Sequence, residues 1–405
     1  MIKRALRVFI LICFLVPLSS LQAVEVTVLP QELVKNGGYI VSQNGQIVSQ
    51  YRENELFRPA STIKLLTSLA VLDVLGENYR HQTSFYLDGQ KRLFVKGSGD
   101  PFLTSEYLSQ IVAELKQNGL KTISGYVLDD TVFMLEHYLP DGSENSLNPY
   151  DAPNGGLAIN FNSISIIRQA NGTIGSGEAQ TPTTSIARGI GKKLPKGNHR
   201  VNINHYPLSG RLHPQLRYTA EVIHELALDA GIQSAPLIRK GIVPEKLEPI
   251  FIFTSPRTVR DNIRSCLFYS NNFIANQLAL TAGAYRYGFP ATWEKSRRLL
   301  RDYAANKLHI PATSIRVEEA SGLSRKNSAT PQAMLSLLDD FLPYRNLLPR
   351  KNGALVKTGT MKSTYCYAGY FDEQGAITSF AILLNQKQNS RSQLLISLKK
   401  HLPAN

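Results

Sequence analysis

Residues 59–76 read PASTIKLLTSLAVLDVLG. Fold and chemistry both turn on how a lysine comes to sit in so apolar a stretch. Ser61 and Lys64 are three apart, which on a helix places them on one face. Leu65, Leu66, Leu69, Ala70, Leu72, Val74 and Leu75 follow, apolar nearly all round, the pattern of a helix buried in a core. Gly76 is a stop signal. An ammonium at the head of such a helix needs a partner or a lowered pKa. A lysine that gives up its proton readily is a base, and a base beside a hydroxyl makes a nucleophile. The plainer alternative is a buried aliphatic stem whose head snorkels to solvent. On this stretch alone the plainer alternative stands, because Ser-x-x-Lys arises often by chance.

The chain opens MIKRALRVFILICFLVPLSSLQAVEV. Lys3, Arg4 and Arg7 form a basic head, Val8 to Val16 an apolar run too short to span a bilayer comfortably, and Ser19, Ser20 and Ala23 a small-residue tail. This predicts a signal peptide over residues 1–23, with cleavage after Ala23 and export to a periplasm. Leu21 is larger than the residue usual there, so an uncleaved anchor is the alternative. Cys13 follows Ile12, where lipid attachment needs a small residue. Removing 23 of the 405 residues leaves 382, enough for two or three domains. Only Cys266 and Cys366 then remain, which excludes a disulfide scaffold; they either pair or act as buried small apolar residues. There is no Cys-x-x-Cys, His-Glu-x-x-His or Walker loop, and His199, His205 and His213 lack ligand spacing, so no metal site is expected.

The net charge of +14 falls to +11 once Lys3, Arg4 and Arg7 are gone. Basic residues group at 188–200, RGIGKKLPKGNHR, which reads as a solvated loop, and at 294–303, EKSRRLLRDY, which has helical spacing. No interleaving of aromatic and basic residues marks a nucleic-acid platform. The charge suits contact with an anionic wall polymer or membrane surface, or is simply a soluble basic face.

Residues 37–54, GGYIVSQNGQIVSQYREN, predict a hairpin: Tyr39-Ile40-Val41 and Gln46-Ile47-Val48 flank Asn44-Gly45, the type I′ turn signal. Residues 353–360, 365–372 and 377–386 read as three successive antiparallel strands, and 390–403 as a closing amphipathic helix. Between Ser270 and Arg325 the pattern is mostly helical. Residues 83–255 are rich in Gly, Pro, Asn and short β-like runs, interrupted by helical stretches at 104–118 and 218–231. They read as one or two inserted modules of mainly β or α/β character. No internal repeat or low-complexity tract is visible.

Two further short sequences lie downstream. FYSNNFIANQ contains Ser270-Asn271-Asn272, a Ser-x-Asn, and LVKTGTMKS contains Lys357-Thr358-Gly359-Thr360 on a predicted strand. Ser-x-x-Lys, Ser-x-Asn and Lys-Thr-Gly, in that order and in those settings, form the signature of penicillin-binding proteins and serine β-lactamases. The chain resembles the class C low-molecular-mass penicillin-binding proteins, the D-alanyl-D-alanine carboxypeptidase/endopeptidase family. The resemblance rests on the three motifs and on GSGDP (97–101), SGYVLDDTVF (124–133), LAINFNS (157–163), ASGLSR (320–325) and KTGTMKSTYCYAGYF (357–371). It covers almost the whole mature chain, including a long insertion between the serine helix and Ser-x-Asn. Asn271 stands where Asp is usual and Glu319-Ala320 where Asp-Gly is common. Both spacers are short for the family, which points to an insertion reduced in its second module.

The resemblance implies an α/β (α+β) transpeptidase-like fold. An antiparallel sheet of about five strands flanked by helices would be built from residues 24–82 and 256–405, with 83–255 inserted. It implies that Ser61 attacks a D-Ala-D-Ala carbonyl and forms an acyl-enzyme, with Lys64 as general base, its pKa lowered by burial and by Lys357. Asn272 would bond Lys64 and the substrate amide, and Ser270 would pass a proton to the leaving amine. Lys357, Thr358 and Thr360 would grip the terminal carboxylate of a peptidoglycan stem peptide. The backbone N–H groups of Ser61 and Thr360 would form the oxyanion hole. β-Lactams would bind covalently, and no cofactor would be needed. Plainer readings remain for each motif: Ser270 and Asn272 as helix caps, doing both jobs, and Lys357-Thr358-Gly359 as an edge strand. Gly359 argues for close approach of a backbone or ligand. The alternatives for the whole are a serine β-lactamase and a non-catalytic wall-binding protein. Against the first, no Glu-x-x-Leu-Asn segment lies between Ser270 and Lys357, and Ser-x-Asn stands where a class C β-lactamase carries Tyr-x-Asn, Tyr269 only preceding the motif.

Overall fold

The structure, a computed structural model, describes residues 31–204, 212–373 and 376–402. The expected signal peptide and His205 lie outside the described residues. Strands β1 (Gly37–Gln43) and β2 (Gln46–Tyr51) form the N-terminal hairpin. Its turn places Asn44 at φ 51° and Gly45 at φ 80°, the two positive values a type I′ turn requires. At the other end of the chain lie β3 (Arg350–Lys351), β4 (Ala354–Met361), β5 (Thr364–Glu373) and β6 (Ala376–Leu384). All six join one antiparallel sheet in the order β3-β4-β5-β6-β1-β2. The two chain ends meet through β1 and β6, with Tyr39 opposite Ile382 and Val41 opposite Phe380. The sequence predicts about five strands. The sixth, β3, spans two residues, too short to show the alternation that reveals a strand.

Alternation along these strands divides the sheet into two apolar faces. Ile40, Leu355, Cys366, Ala368, Tyr370, Ala381 and Leu383 face a layer of helices. That layer comprises α1 (Lys64–Leu75), α2 (Val259–Tyr269), α3 (Asn272–Tyr287), α4 (Trp293–Asn306) and α5 (Pro331–Phe341). Tyr39, Val41, Val356, Tyr367, Phe380 and Ile382 face the closing helix α6 (Arg391–Lys400), which contributes Leu394, Leu395 and Leu398. Helix α1 is buried from Lys64 through Leu72 and ends at Gly76, φ 76°. Ser61 does not lie on α1 itself. It sits on a 3-10 turn, Ala60–Ile63, and Lys64 is the first α-helical residue. The tighter turn follows from Thr62, whose N–H and hydroxyl both donate to Pro59 O, at 3.2 and 2.7 Å.

Between α1 and α2 the chain builds a separate core. Strands 82–87, 92–96, 125–129, 238–240 and 249–254 form a mixed five-stranded sheet, packed with Ser105–Gln117 and Pro214–Asp229. The second helix begins four residues before its expected start, because Pro214 fits its first turn. A three-stranded sheet lies beside them, and Phe85, Leu108, Ile111, Leu128, Ile166 and Leu216 fill the core. The expected solvated loop at 188–200 is corrected. Its start closes a helix, Ser185–Gly191, and its end opens a strand, Gly197–Asn202. Thr184 caps that helix, its hydroxyl accepting from Ala187 N–H at 3.2 Å. Cys266 and Cys366 are buried free thiols.

Candidate active site

The apolar sequence of α1 buries Lys64 completely. Its Nζ donates to three oxygens: Ser61 Oγ at 2.9 Å, Asn272 Oδ1 at 2.8 Å and the Ser321 carbonyl at 2.6 Å. Burial lowers the Lys64 pKa to about 8, against the opposing pull of Cys266 and Glu319. The Ser321 carbonyl is held in place by Glu319, a buried carboxylate. Glu319 accepts from Ser321 N–H at 2.7 Å, Ser321 Oγ at 2.6 Å, Asn276 Nδ2 at 3.1 Å, Ser324 N–H at 3.1 Å and Asn327 Nδ2 at 3.0 Å.

The corner between α2 and α3 presents Ser270 and Asn272. Ser270 ends α2 in a left-handed conformation, φ 54° and ψ 37°. Ser270 is thus the C-cap of α2, but the N-cap of α3 is neither Ser270 nor Asn272, which corrects the expectation that they would cap its start. Asn271 has the extended backbone a cap requires, and its Oδ1 accepts from Ile274 N–H at 3.0 Å. The side chains on either side are thereby left to face the cleft. Asn272 Nδ2 donates to Tyr150 O at 3.3 Å, which fixes Oδ1 as the atom turned to Lys64.

Strand alternation points Lys357 and Gly359 of β4 toward the helix layer. Lys357 is buried, and its Nζ donates to Ser270 Oγ and to Thr358 O, both at 2.8 Å. Burial pushes its pKa well down, and the charges of Lys64 and Arg391 push the same way. A side chain at position 359 would begin 2.7 Å from Pro59 O and 3.1 Å from Ala60 Cβ, so only glycine lets β4 lie against the Ser61 turn. Gly322, at φ 85°, passes the same turn from the other side. Beyond Leu355 the outer edge of β4 has no partner strand among the described residues, since β3 pairs only with Ala354 and Leu355.

Ser61, Ser270, Asn272, Thr358 and Thr360 line one cleft of about 810 Å³. Three residues that the sequence reading did not single out stand beside them. Asp141, Glu144 and Tyr150, from the middle of the chain, line the same cleft, as do the cations Arg325, Lys326 and Lys362. Glu319 and Arg391 were missed too. Glu319, which precedes the family-like ASGLSR, reads only as a departure from Asp-Gly with no role assigned, and Arg391 reads as an ordinary residue of a closing helix. Ser61, Lys64 and Asn272 thus form one bonded cluster and Ser270 and Lys357 a second. Among the described residues no group of three or more His, Cys, Asp or Glu side chains is placed to hold a metal.

The chain is 24% identical to the D-alanyl-D-alanine carboxypeptidase DacB of Haemophilus influenzae, over 91% of this chain and 89% of that one. It is 24% identical to the D-alanyl-D-alanine carboxypeptidase of an Actinomadura species, over 70% of this chain and 60% of that one. The crystal structure of penicillin-binding protein 4 from H. influenzae superposes with a TM-score of 0.76 at 20% identity, covering 91% of this chain and 97% of the other. The same protein is also known in complex with a β-lactam. A predatory peptidoglycan endopeptidase of Bdellovibrio bacteriovorus shares the fold more distantly, with a TM-score of 0.50 at 15% identity over 91% of this chain and 90% of that one. The model of the D-Ala-D-Ala carboxypeptidase 3 (S13) family matches residues 21–191 and 196–349, most of the sequence, and the chain belongs to that family of hydrolases.

Proposed function

We propose that Ser61 is the nucleophile of a serine-type D-Ala-D-Ala carboxypeptidase and that Lys64 is its general base. The observation that carries this reading is the set of partners around Lys64 Nζ. Two of the three, Asn272 Oδ1 and Ser321 O, can only accept. A neutral amine satisfies both with its two N–H bonds, and its lone pair is left for the third, Ser61 O–H at 2.9 Å. Geometry and the lowered pKa therefore favour the same event, transfer of the Ser61 proton to Lys64 as Oγ attacks the carbonyl carbon.

The remaining roles follow from position. The N–H groups of Ser61 and Thr360 stabilise the oxyanion, a donor of this kind contributing roughly 3–4 kcal/mol in the transition state. Ser270, hydrogen-bonded to Lys357, passes a proton to the leaving amine as the C–N bond breaks. The free edge of β4 offers backbone partners to an extended peptide, and Lys357, Thr358 and Thr360 take its terminal carboxylate. Water then hydrolyses the ester and regenerates the Ser61 hydroxyl. β-Lactams acylate the same oxygen, which makes them covalent inhibitors. The cleft of about 810 Å³ is lined beyond the motif residues by Asp141, Glu144, Arg325, Lys326 and Lys362, and endopeptidase action on cross-bridges belongs to this proposal.

The substrate is a peptidoglycan stem peptide, and the protein is exported to meet it. Residues 83–255 form an inserted unit with a core of their own. Through Tyr150 that unit also orients Asn272. The test is digestion of muropeptides by the purified protein, read by mass spectrometry. Free D-Ala or a cut cross-bridge is expected, and intact muropeptides would overturn the proposal.

A further inference from the structure

Arg391 breaks two rules at once. It is a cation in the first turn of α6, where the helix dipole disfavours positive charge. It is also buried, 8% exposed, with no carboxylate in ion-pair contact among the described residues. A buried charge without a counter-charge is destabilising, and departures of this kind concentrate where a fold is built for function. Instead of an acid, Arg391 Nη1 meets oxygens of the cleft strand and its neighbour: Gly359 O at 2.6 Å, Thr360 Oγ1 at 2.8 Å and Cys366 O at 3.4 Å. Its guanidinium carbon lies 4.6 Å from the ring centroid of Tyr367 and 6.0 Å from that of Tyr365, which hold the plane in place.

The polarity of one of these bonds has a chemical consequence. A guanidinium can only donate, so Thr360 Oγ1 accepts from Arg391 and its own O–H must donate elsewhere. Thr360 is exposed and lines the cleft. We propose that Arg391 is a positioning residue for recognition of the substrate's terminal carboxylate. By donating to Thr360 Oγ1 from behind the strand, it commits the Thr360 hydroxyl to donate forward, and its bond to Gly359 O fixes the backbone that carries that hydroxyl. The charge-assisted bond also polarises the hydroxyl and strengthens its donation. Without Arg391 the hydroxyl is free to turn and accept, which a carboxylate does not reward. The positive charge behind the strand further disfavours protonation of the neighbouring Lys357.

This inference rests on the reading of Thr360 as a carboxylate ligand, and the test separates the two. A D-Ala-D-Ala peptide is compared with the same peptide capped as a C-terminal amide, the readout being the ratio of kcat/KM for acid over amide. Arg391→Met should lower kcat/KM for the acid about tenfold or more while leaving the amide little changed. Arg391→Lys, which keeps a donor, should recover part of the loss. In a Thr360→Val background, Arg391→Met should change the ratio no further. Thr360→Val, a cleft substitution that leaves the core intact, should by itself lower the ratio, which keeps the test decisive even if Arg391→Met fails to fold. Equal loss on both peptides, an undiminished effect of Arg391→Met in the Thr360→Val background, or an unchanged ratio in Thr360→Val would each overturn the proposal. Labelling of Ser61 by a fluorescent penicillin reports separately on the underlying reading. If the wild type labels and Thr360→Val lowers the ratio while Arg391→Met does not, only the role of Arg391 fails. If Thr360→Val leaves the ratio unchanged, the reading of Thr360 as carboxylate ligand fails with it.

Discussion

The acylation rate should climb steeply with pH, and the structure sets where. Lys64 Nζ lies 2.9 Å from Ser61 Oγ, and burial brings its pKa to about 8 from an ordinary lysine value of 10.5. Only the neutral amine has a lone pair for the Ser61 proton. With that pKa the neutral fraction is roughly 1% at pH 6, about 10% at pH 7 and about half at pH 8. The second-order rate constant for acylation by a fluorescent penicillin should therefore rise about tenfold per pH unit up to pH 7. It should reach half its limit near pH 8 and flatten above pH 9. Single-turnover labelling, quenched at intervals and read on gels, measures it directly. Lys64→Arg supplies the control, because a guanidinium stays charged throughout this range and should give no measurable labelling at any of these pH values. A profile that is flat between pH 6 and 9, or a rising limb that survives in Lys64→Arg, would refute the assignment of Lys64 as base.

Neighbouring residues at the α2–α3 corner should behave differently. Asn272→Leu removes an acceptor from buried Lys64 and should slow acylation about ten- to a hundredfold, with a stability loss of about 1–3 kcal/mol in urea unfolding. Asn271→Ala removes the cap of α3 and should lower stability by about 1 kcal/mol, seen in urea unfolding, while the acylation rate stays within a few-fold. Gly359→Ala places a Cβ 2.7 Å from Pro59 O. It should cost about 1–3 kcal/mol in the same unfolding assay and slow acylation as well, because it moves β4 away from the Ser61 turn.

Local chemistry was legible in the sequence, and distant partnership was not. Asn44-Gly45 announces its turn through backbone preference alone, and the alternating strands at the C-terminal end announce a sheet. Ser61, Lys64, Ser270, Asn272 and Lys357 could be picked out because Ser-x-x-Lys, Ser-x-Asn and Lys-Thr-Gly occur together, in that order and in fitting local settings. The cap at the α2–α3 corner was misassigned by one residue, since Ser270, Asn271 and Asn272 are all good capping types and only the backbone angles decide among them. Tyr150 and Arg391 gave no signal, and Glu319 gave only a departure from Asp-Gly, with no role attached. Their roles depend on partners that fold back from other parts of the chain: Arg391 on Thr360, Tyr150 on Asn272, and Glu319 on Asn276. The 188–200 stretch misled because its glycines and lysines resemble a loop, while the residue that caps its helix, Thr184, lies just outside it.

Peptide mapping by mass spectrometry after exposure to benzylpenicillin tests the central claim most directly. The account predicts one covalent adduct, on the peptide that contains Ser61, absent from Ser61→Ala. An adduct on any other residue, or a wild-type protein that emerges unmodified, would contradict it.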